Sequence, residues 1–146
     1  MIVSTKGRYA VRVMLDVAEH GEGECIPLRE IAERQDISRK YLETIMTTLS
    51  KAELVESTMG KEGGYCLVRE PKDYKIGDIL RVTEKNLAPV ACLCDDLKKC
   101  EKTEGCYTLP FWRGLEDQIN SYIDGHTLKD LLDMKDENKK AETCAS

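Results

Sequence analysis

The chain has 146 residues, 41% of them hydrophobic, enough for one domain with a sizeable core or one domain with an appended arm. Its 27 acidic and 22 basic residues leave a net charge of −5, the wrong sign for a protein that coats nucleic acid without selectivity but compatible with a specific reader carrying local basic positions. No apolar run approaches bilayer length and no signal-peptide pattern opens the chain, so a cytoplasmic protein with no membrane partner is expected, in which seven cysteines point to metal binding before a disulfide framework.

A first helix should start after Ser4 or Thr5, both good caps, bury Ala10, Val13, Met14 and Val17, and end at Gly21 and Gly23. Lys6, Arg8 and Arg12 lie off that stripe; Lys6 and Arg8 suit a solvated face or a phosphate contact. Ile26-Pro27 opens a second helix with proline at the first helical position and Leu28, Ile31 and Ala32 buried. After a turn at Gln35-Asp36-Ile37, Ser38 caps a third helix that buries Tyr41 or Leu42, Ile45, Met46 and Leu49. Two short helices across a tight turn suit a helix-turn-helix, although Asp36 stands where glycine is common.

The outward positions of the third helix are Arg39, Lys40, Glu43, Thr44, Thr47 and Thr48. Arginine and lysine donate to guanine edges or phosphates, threonine hydrogen-bonds or touches a thymine methyl, and glutamate accepts from cytosine but repels phosphate. An ordinary solvated helix face is the competing reading. Residues 54–58 and 65–68 read as two strands, joined by a connection containing Gly60, Gly63 and Gly64, glycines that permit positive φ and close backbone approach. A hairpin directly after a helix-turn-helix is the arrangement of a winged helix. Its tip would carry Met59, Gly60 and Lys61 toward the minor groove or phosphates. A short helix over 76–84 closes this head.

Asn86 and Pro89 lead into a polar loop holding Cys92, Cys94, Cys100 and Cys106, with five residues in each of the last two intervals. Such a segment cannot build a core, and thiolates on zinc or an iron–sulfur cluster would give it shape. One residue between Cys92 and Cys94 is tighter than a usual zinc knuckle, and the wider intervals differ from ferredoxin runs. The residues alone therefore leave zinc and cluster both open. Cys25 and Cys66 stand in isolation and read as small apolar residues. His20 and His126 read as surface histidines. A long helix over 109–123 repeats Trp112, Leu115, Ile119 and Tyr122 at intervals of three and four, with Phe111 and Ile123 widening the stripe, a seam for a second subunit. Thr127 and Asp130 form a capping box for a short helix with Leu128, Leu131 and Leu132 apolar. From Lys135 onward the charged chain reads as a disordered tail, with Cys144 incidental.

The expected fold is mainly α with a small β-hairpin wing: a winged helix-turn-helix head over 1–85, a cysteine-rich cluster-binding loop over 86–108, a dimerisation helix and short C-terminal helix over 109–134, and a tail over 135–146. Ser4-Thr5-Lys6-Gly7-Arg8-Tyr9-Ala10, Ile37-Ser38 with Tyr41-Leu42-Glu43, Gly63-Gly64-Tyr65, the spaced cysteines, Phe111-Trp112 and Thr127-Leu128 together resemble the IscR-type regulators across residues 1–134. That resemblance implies a homodimeric winged-helix regulator of promoter DNA, a repressor and not an enzyme. It implies an iron–sulfur cluster, 2Fe–2S ahead of 4Fe–4S and with zinc as the alternative, on three cysteines and one further ligand. It also implies Ser38, Arg39, Lys40, Tyr41, Glu43 and Thr44 in the major groove, Lys6 and Tyr9 supporting phosphates, and Glu43 discriminating between operator classes. Two departures stand out. Met59 replaces an arginine at the wing tip, with Lys61 nearby as a partial substitute. Leu109 replaces the histidine three residues after the last cysteine, so the fourth ligand is unassigned and either Cys92 or Cys94 can be the first. Arg8 occupies the position of a ligating aspartate in a nitric-oxide-sensing branch, a role a guanidinium cannot fill. The competing functions are a cluster-free or zinc-stabilised regulator of sulfur and cysteine metabolism and, behind it, an iron–sulfur redox carrier.

Overall fold

The computed structural model describes residues 3–61, 63–94 and 104–144. Six helices and one hairpin follow in chain order among these: α1 (Thr5–Gly21), α2 (Leu28–Gln35), α3 (Arg39–Lys51), β1 (Val55–Thr58), β2 (Gly64–Leu67), α4 (Ile76–Thr83), α5 (Leu109–Asp124) and α6 (Leu128–Cys144). The mainly helical architecture with a hairpin wing is the one the sequence predicts.

Ser4 caps α1 by accepting from the Gly7 N–H at 3.1 Å. The same residue donates from its backbone N and its hydroxyl to Glu84 Oε1, at 3.0 and 2.7 Å, which fastens the start of α1 to the end of α4. A Cβ on Gly7 would displace that carboxylate, so glycine at this position leaves room for the Ser4–Glu84 contact. The α1 stripe Ala10, Val13, Met14 and Val17 meets Ile31 of α2, Leu42, Ile45, Met46 and Leu49 of α3, and Ile79 and Leu80 of α4 in one core. Pro27 is the N-cap of α2 and not its first helical residue. Its ψ of 137° is extended while its carbonyl already accepts from Glu30 and Ile31. Asp36 takes the left-handed conformation, φ 52°, that the tight turn into α3 requires, a conformation aspartate tolerates better than most residues.

β1 and β2 pair antiparallel in the register Val55↔Leu67, Glu56↔Cys66, Ser57↔Tyr65 and Thr58↔Gly64. The segment before α2 adds a third edge: Ile26 and Tyr65 exchange both backbone hydrogen bonds, at 2.8 and 2.9 Å. A Cβ on Gly64 would run into the backbone of Ile26 and Pro27, so this glycine permits the approach. One residue from that bridge, Cys25 and Cys66 are joined as a disulfide with Cα atoms 4.3 Å apart. This corrects the reading of both as isolated small apolar residues. They become partners only because a tertiary bridge across 41 positions sets them opposite each other, at the close, non-hydrogen-bonded kind of pair in an antiparallel ladder.

Tyr74 is fully buried beneath the wing. Its hydroxyl donates to the Leu54 carbonyl at 2.8 Å and accepts from the N–H groups of Val68 and Arg69 at 2.9 and 3.1 Å. On the far side, Arg81 of α4 makes a two-pronged contact with Asp124 of α5, at 2.7 and 2.8 Å, and reaches Asn120 at 3.2 Å. The capping box forms as expected, with Asp130 N donating to Thr127 Oγ1 at 3.2 Å and Thr127 N to Asp130 Oδ2 at 2.7 Å. α6 then continues to Cys144, in place of the disordered tail expected from 135 onward. The correction has two causes. Lysine, glutamate and alanine, frequent in this stretch, are good helix formers even without an apolar stripe, and Lys135 and Lys139 both pair with Glu19 of α1.

Candidate nucleic-acid interface and thiol site

α3 presents an outer face that the core stripe leaves free. Ser38, Arg39, Lys40, Glu43, Thr44 and Thr47 are exposed. The Ser38 hydroxyl oxygen accepts from Tyr41 N at 3.3 Å, so the serine that heads this face also sets where the helix starts. Arg39 Nε lies 3.6 Å from Glu43 Oε1 one turn on. The cation and the carboxylate expected to read bases therefore restrain each other in the free protein. Thr44 donates to the Lys40 carbonyl at 3.3 Å and Thr48 to the Thr44 carbonyl at 3.0 Å, which leaves the Thr44 methyl and oxygen lone pairs for an outside partner. Lys6 donates to Thr48 Oγ1 at 2.9 Å, so α1 braces the far end of α3 and delivers its charge there.

Tyr9 and Tyr41 meet edge to face with ring centroids 6.0 Å apart, and the Arg12 guanidinium lies 5.2 Å from the Tyr9 centroid. Behind them is a polar network that the sequence reading missed. Asp16 is buried and takes hydrogen bonds from Arg34, at 2.8, 3.0 and 3.2 Å, and from Gln35 Nε2, at 2.8 Å. Arg12 in turn donates to the side chain and carbonyl of Gln35, at 3.2 and 2.9 Å. The carboxylate of Asp16 holds the Arg34 guanidinium further above its ordinary pKa. The signal available was a carboxylate set beside the apolar stripe of α1; its partners could not be known before the helices were packed. At the wing, Met59 is 97% exposed, Gly60 has φ 116°, and Lys61 is exposed. The tip thus offers one apolar and one cationic side chain to solvent.

Cys92 is exposed in a single 3-10 turn at Ala91–Leu93, and Cys94 follows it half-buried, its Sγ 3.7 Å from the Val90 carbonyl. Cys106 lies just ahead of α5 with its Sγ 3.5 Å from Thr108 Oγ1. Hydrogen bonding by the Thr108 side chain, then by the backbone N–H groups of Thr108 and Leu109, draws the Cys106 thiol below its ordinary pKa. A lowered pKa favours the thiolate, the form that ligates metal. Leu109 is buried and serves packing. Cys100 lies outside the described residues. Among the described residues no three His, Cys, Asp or Glu side chains gather into a metal-holding group. The donor chemistry nonetheless fits a thiophilic centre: Cys92, Cys94 and Cys106 are free thiols, and one of them is biased toward its thiolate.

α5 covers α4 with part of its surface and leaves the rest open. Phe111 and Tyr122 are 66% and 68% exposed, Leu115 is exposed, and Trp112 and Ile119 are half-buried. Ile123, on the same helix, instead packs against the core.

Comparison with known proteins adds a family. The family model Rrf2, described as an iron-dependent transcriptional regulator, matches residues 3–134. The chain is 39% identical over 132 residues to the HTH-type transcriptional regulator IscR of Aliivibrio salmonicida (strain LFI1238), covering 90% of this chain and 77% of that one. Among solved structures it is similar to T. potens IscR, at 39% identity and a TM-score of 0.77, with 94% of this chain and 90% of the other covered. It is similar also to CymR, the global cysteine regulator of B. subtilis, at 34% identity and a TM-score of 0.75, with 90% and 95% covered.

Proposed function

Since the chain belongs to the Rrf2 family of iron-dependent transcriptional regulators and is accordingly a DNA-binding regulator, we propose that it represses promoters as a homodimer and that an iron–sulfur cluster on the 92–106 thiols tunes its operator choice. Ser38, Arg39, Lys40, Tyr41, Glu43 and Thr44 enter the major groove, Lys6 and Tyr9 support the phosphate contacts, and Met59, Gly60 and Lys61 reach the adjacent minor groove or its phosphates. Cys100, Cys106 and one or both of Cys92 and Cys94 hold the cluster, a 2Fe–2S centre ahead of a 4Fe–4S one. Such a centre, when bound, ties distant thiolates together and changes charge with its oxidation state.

The observation that carries this reading is the position of Cys106, a free thiol directly ahead of the helix with the uncovered apolar face. Anything that draws Cys106 toward the other thiols also pulls on the start of α5. Asp124, at the opposite end of α5, grips Arg81 of α4, and Glu84 just past α4 grips Ser4 at the start of α1. That contiguous set of contacts is a physical route from the thiols to the head, though a route becomes a coupling only by measurement. The deciding experiment is an anaerobic purification with iron, sulfide and zinc analysis, followed by promoter gel retardation before and after chelation. A coloured protein with about one cluster per chain and altered operator preference on its removal is expected. Colourless protein with stoichiometric zinc would replace the cluster by zinc.

The second reading keeps the family and drops the metal. Likeness to the B. subtilis global cysteine regulator favours it, as does leucine in place of histidine at position 109. An operator profile unchanged in the Cys100→Ser/Cys106→Ser variant would select it.

A further inference from the structure

We propose that Arg12 grips a phosphate of the DNA backbone beside the start of α3, and that Gln35, oriented by buried Asp16, aims it there. The inference rests on the major-groove reading of α3 and deepens it with a contact from outside the set Lys6, Tyr9 and Ser38 to Thr44. Arg12 is an exposed residue of α1. Its Nε donates to Gln35 Oε1 at 3.2 Å and its Nη2 to the Gln35 carbonyl at 2.9 Å, so one edge of the guanidinium is pinned to the last residue of α2. The guanidinium carbon stands 5.2 Å from the Tyr9 ring centroid, and Tyr9 meets Tyr41, in the first turn of α3, edge to face. The cation is thereby fixed between α1 and the end of α2, one aromatic ring away from the start of α3.

The direction of each hydrogen bond sets the aim. Asp16, 2% exposed, accepts from Gln35 Nε2 at 2.8 Å. A carboxylate only accepts, so the Gln35 amide must turn its NH2 toward Asp16 and its oxygen away. That oxygen needs a donor, and Arg12 supplies it. A guanidinium carries five N–H donors, of which Gln35 takes two. The rest lie along the Nη1–Nη2 edge, whose parallel pair matches two oxygens of a phosphate. Charge is the other half of the argument. Arg34, Arg39 and Arg81 each stand against a carboxylate. Among the described residues Arg12 has no such partner, because Asp16, one turn along the same helix, gives its oxygens to Arg34 and Gln35. Arg12 is thus a locally uncompensated cation with a fixed plane, in a chain of net charge −5 that must bind DNA through a few such positions.

The test uses the full chain and two labelled duplexes, one recovered by randomised-site selection with the wild type and one of unrelated sequence, each titrated over a range of potassium chloride concentrations. Arg12→Ala is expected to weaken both duplexes by a similar factor, on the order of tenfold per head, and to reduce the slope of log affinity against log salt by about 0.9 per head. Arg12→Lys keeps the charge and loses the fork, so it should restore the slope and only part of the affinity. Should Arg12→Ala fold poorly, Arg12→Gln, neutral but still a donor toward Gln35, carries the same slope measurement. Gln35→Met removes the amide and leaves the charge of Arg12 in place. It should weaken binding a few-fold with the slope retained, and it should have no further effect in the Arg12→Ala background. A guanidinium that merely braces α1 on α2 would lower the melting temperature of Arg12→Ala and leave its salt slope at the wild-type value; that result overturns the proposal. Additive effects of the two substitutions overturn the aiming role of Gln35. A wild type that binds neither duplex would bring down the major-groove reading as well, whereas an unchanged slope in a variant of a DNA-binding wild type removes Arg12 alone.

Discussion

Under the proposed reading, Glu43 sets selectivity without adding affinity. In the free protein it lies beside Arg39 on an exposed turn of α3, an arrangement worth little to stability. On the proposed reading, the same carboxylate would accept from a cytosine amino group and repel phosphate and most other acceptors. Glu43→Ala should therefore leave the fold intact and broaden the set of operators bound, a change that a randomised-site selection would reveal; an unchanged sequence preference would remove Glu43 from the reading face. Tyr74 works in the opposite sense. Its hydroxyl serves three backbone groups under the wing, and one of them, the Leu54 carbonyl, is buried. Tyr74→Phe leaves that carbonyl without its donor at a cost of about 1–3 kcal/mol. Urea unfolding should register the loss, and amide exchange at Val68 and Arg69 should accelerate. The caps Ser38 and Thr127 were legible from sequence because a cap is a local pattern within four residues. Tyr74, Asp16 and the Cys25–Cys66 pair were not, because each acquires its partners from segments far along the chain.

At the level of elements, periodicity located the helices and the hairpin well, and the errors fell where periodicity carries no information. α6 runs past its apolar residues because its stability there rests on propensity and on Lys135 and Lys139 reaching Glu19, none of which leaves an apolar stripe. The junction of α4 and α5 depends on one ion pair in a similar way. Asp124 is held below the usual carboxylate range chiefly by its hydrogen bond from Arg81; burial opposes this, and the charges of Arg81 and then Lys75 add to it. A carboxylate with a depressed folded pKa contributes stability that is fully present above its unfolded value, near pH 3.9, and is lost as pH falls through the folded value. Both side chains are about one-third or more exposed, so solvent screening limits the contribution to roughly 1 kcal/mol despite the two-pronged geometry. Acid titration of thermal stability should accordingly show a loss beginning below about pH 4. Asp124→Asn should lower stability at neutral pH and flatten that part of the acid limb. A parallel curve for the variant would mean that the pair does not hold α5 on α4.

For the whole molecule, charge and apolar exposure argue together for a dimer. A chain with net charge −5 gains little from bulk electrostatic attraction to DNA, so a single head must rely on a few local contacts. Joining two heads turns the second contact into an intramolecular event, which can raise apparent affinity by about 10²-fold or more without any new interaction. α5 carries the apolar face suited to that joining: Phe111, Leu115 and Tyr122 are exposed along it, and Cys106 lies directly before it. Placing charge in this seam, as in the Leu115→Glu/Tyr122→Lys double variant, should convert a dimer to a monomer in sedimentation. Neither side chain belongs to the buried core, so the helical signature and melting behaviour of the head should persist. Promoter affinity should fall about 10²-fold, while weak binding to an isolated half-site stays nearly constant. Equal losses on the half-site and the full operator would mean that the seam supports the head itself, and a variant still dimeric would move the interface away from α5.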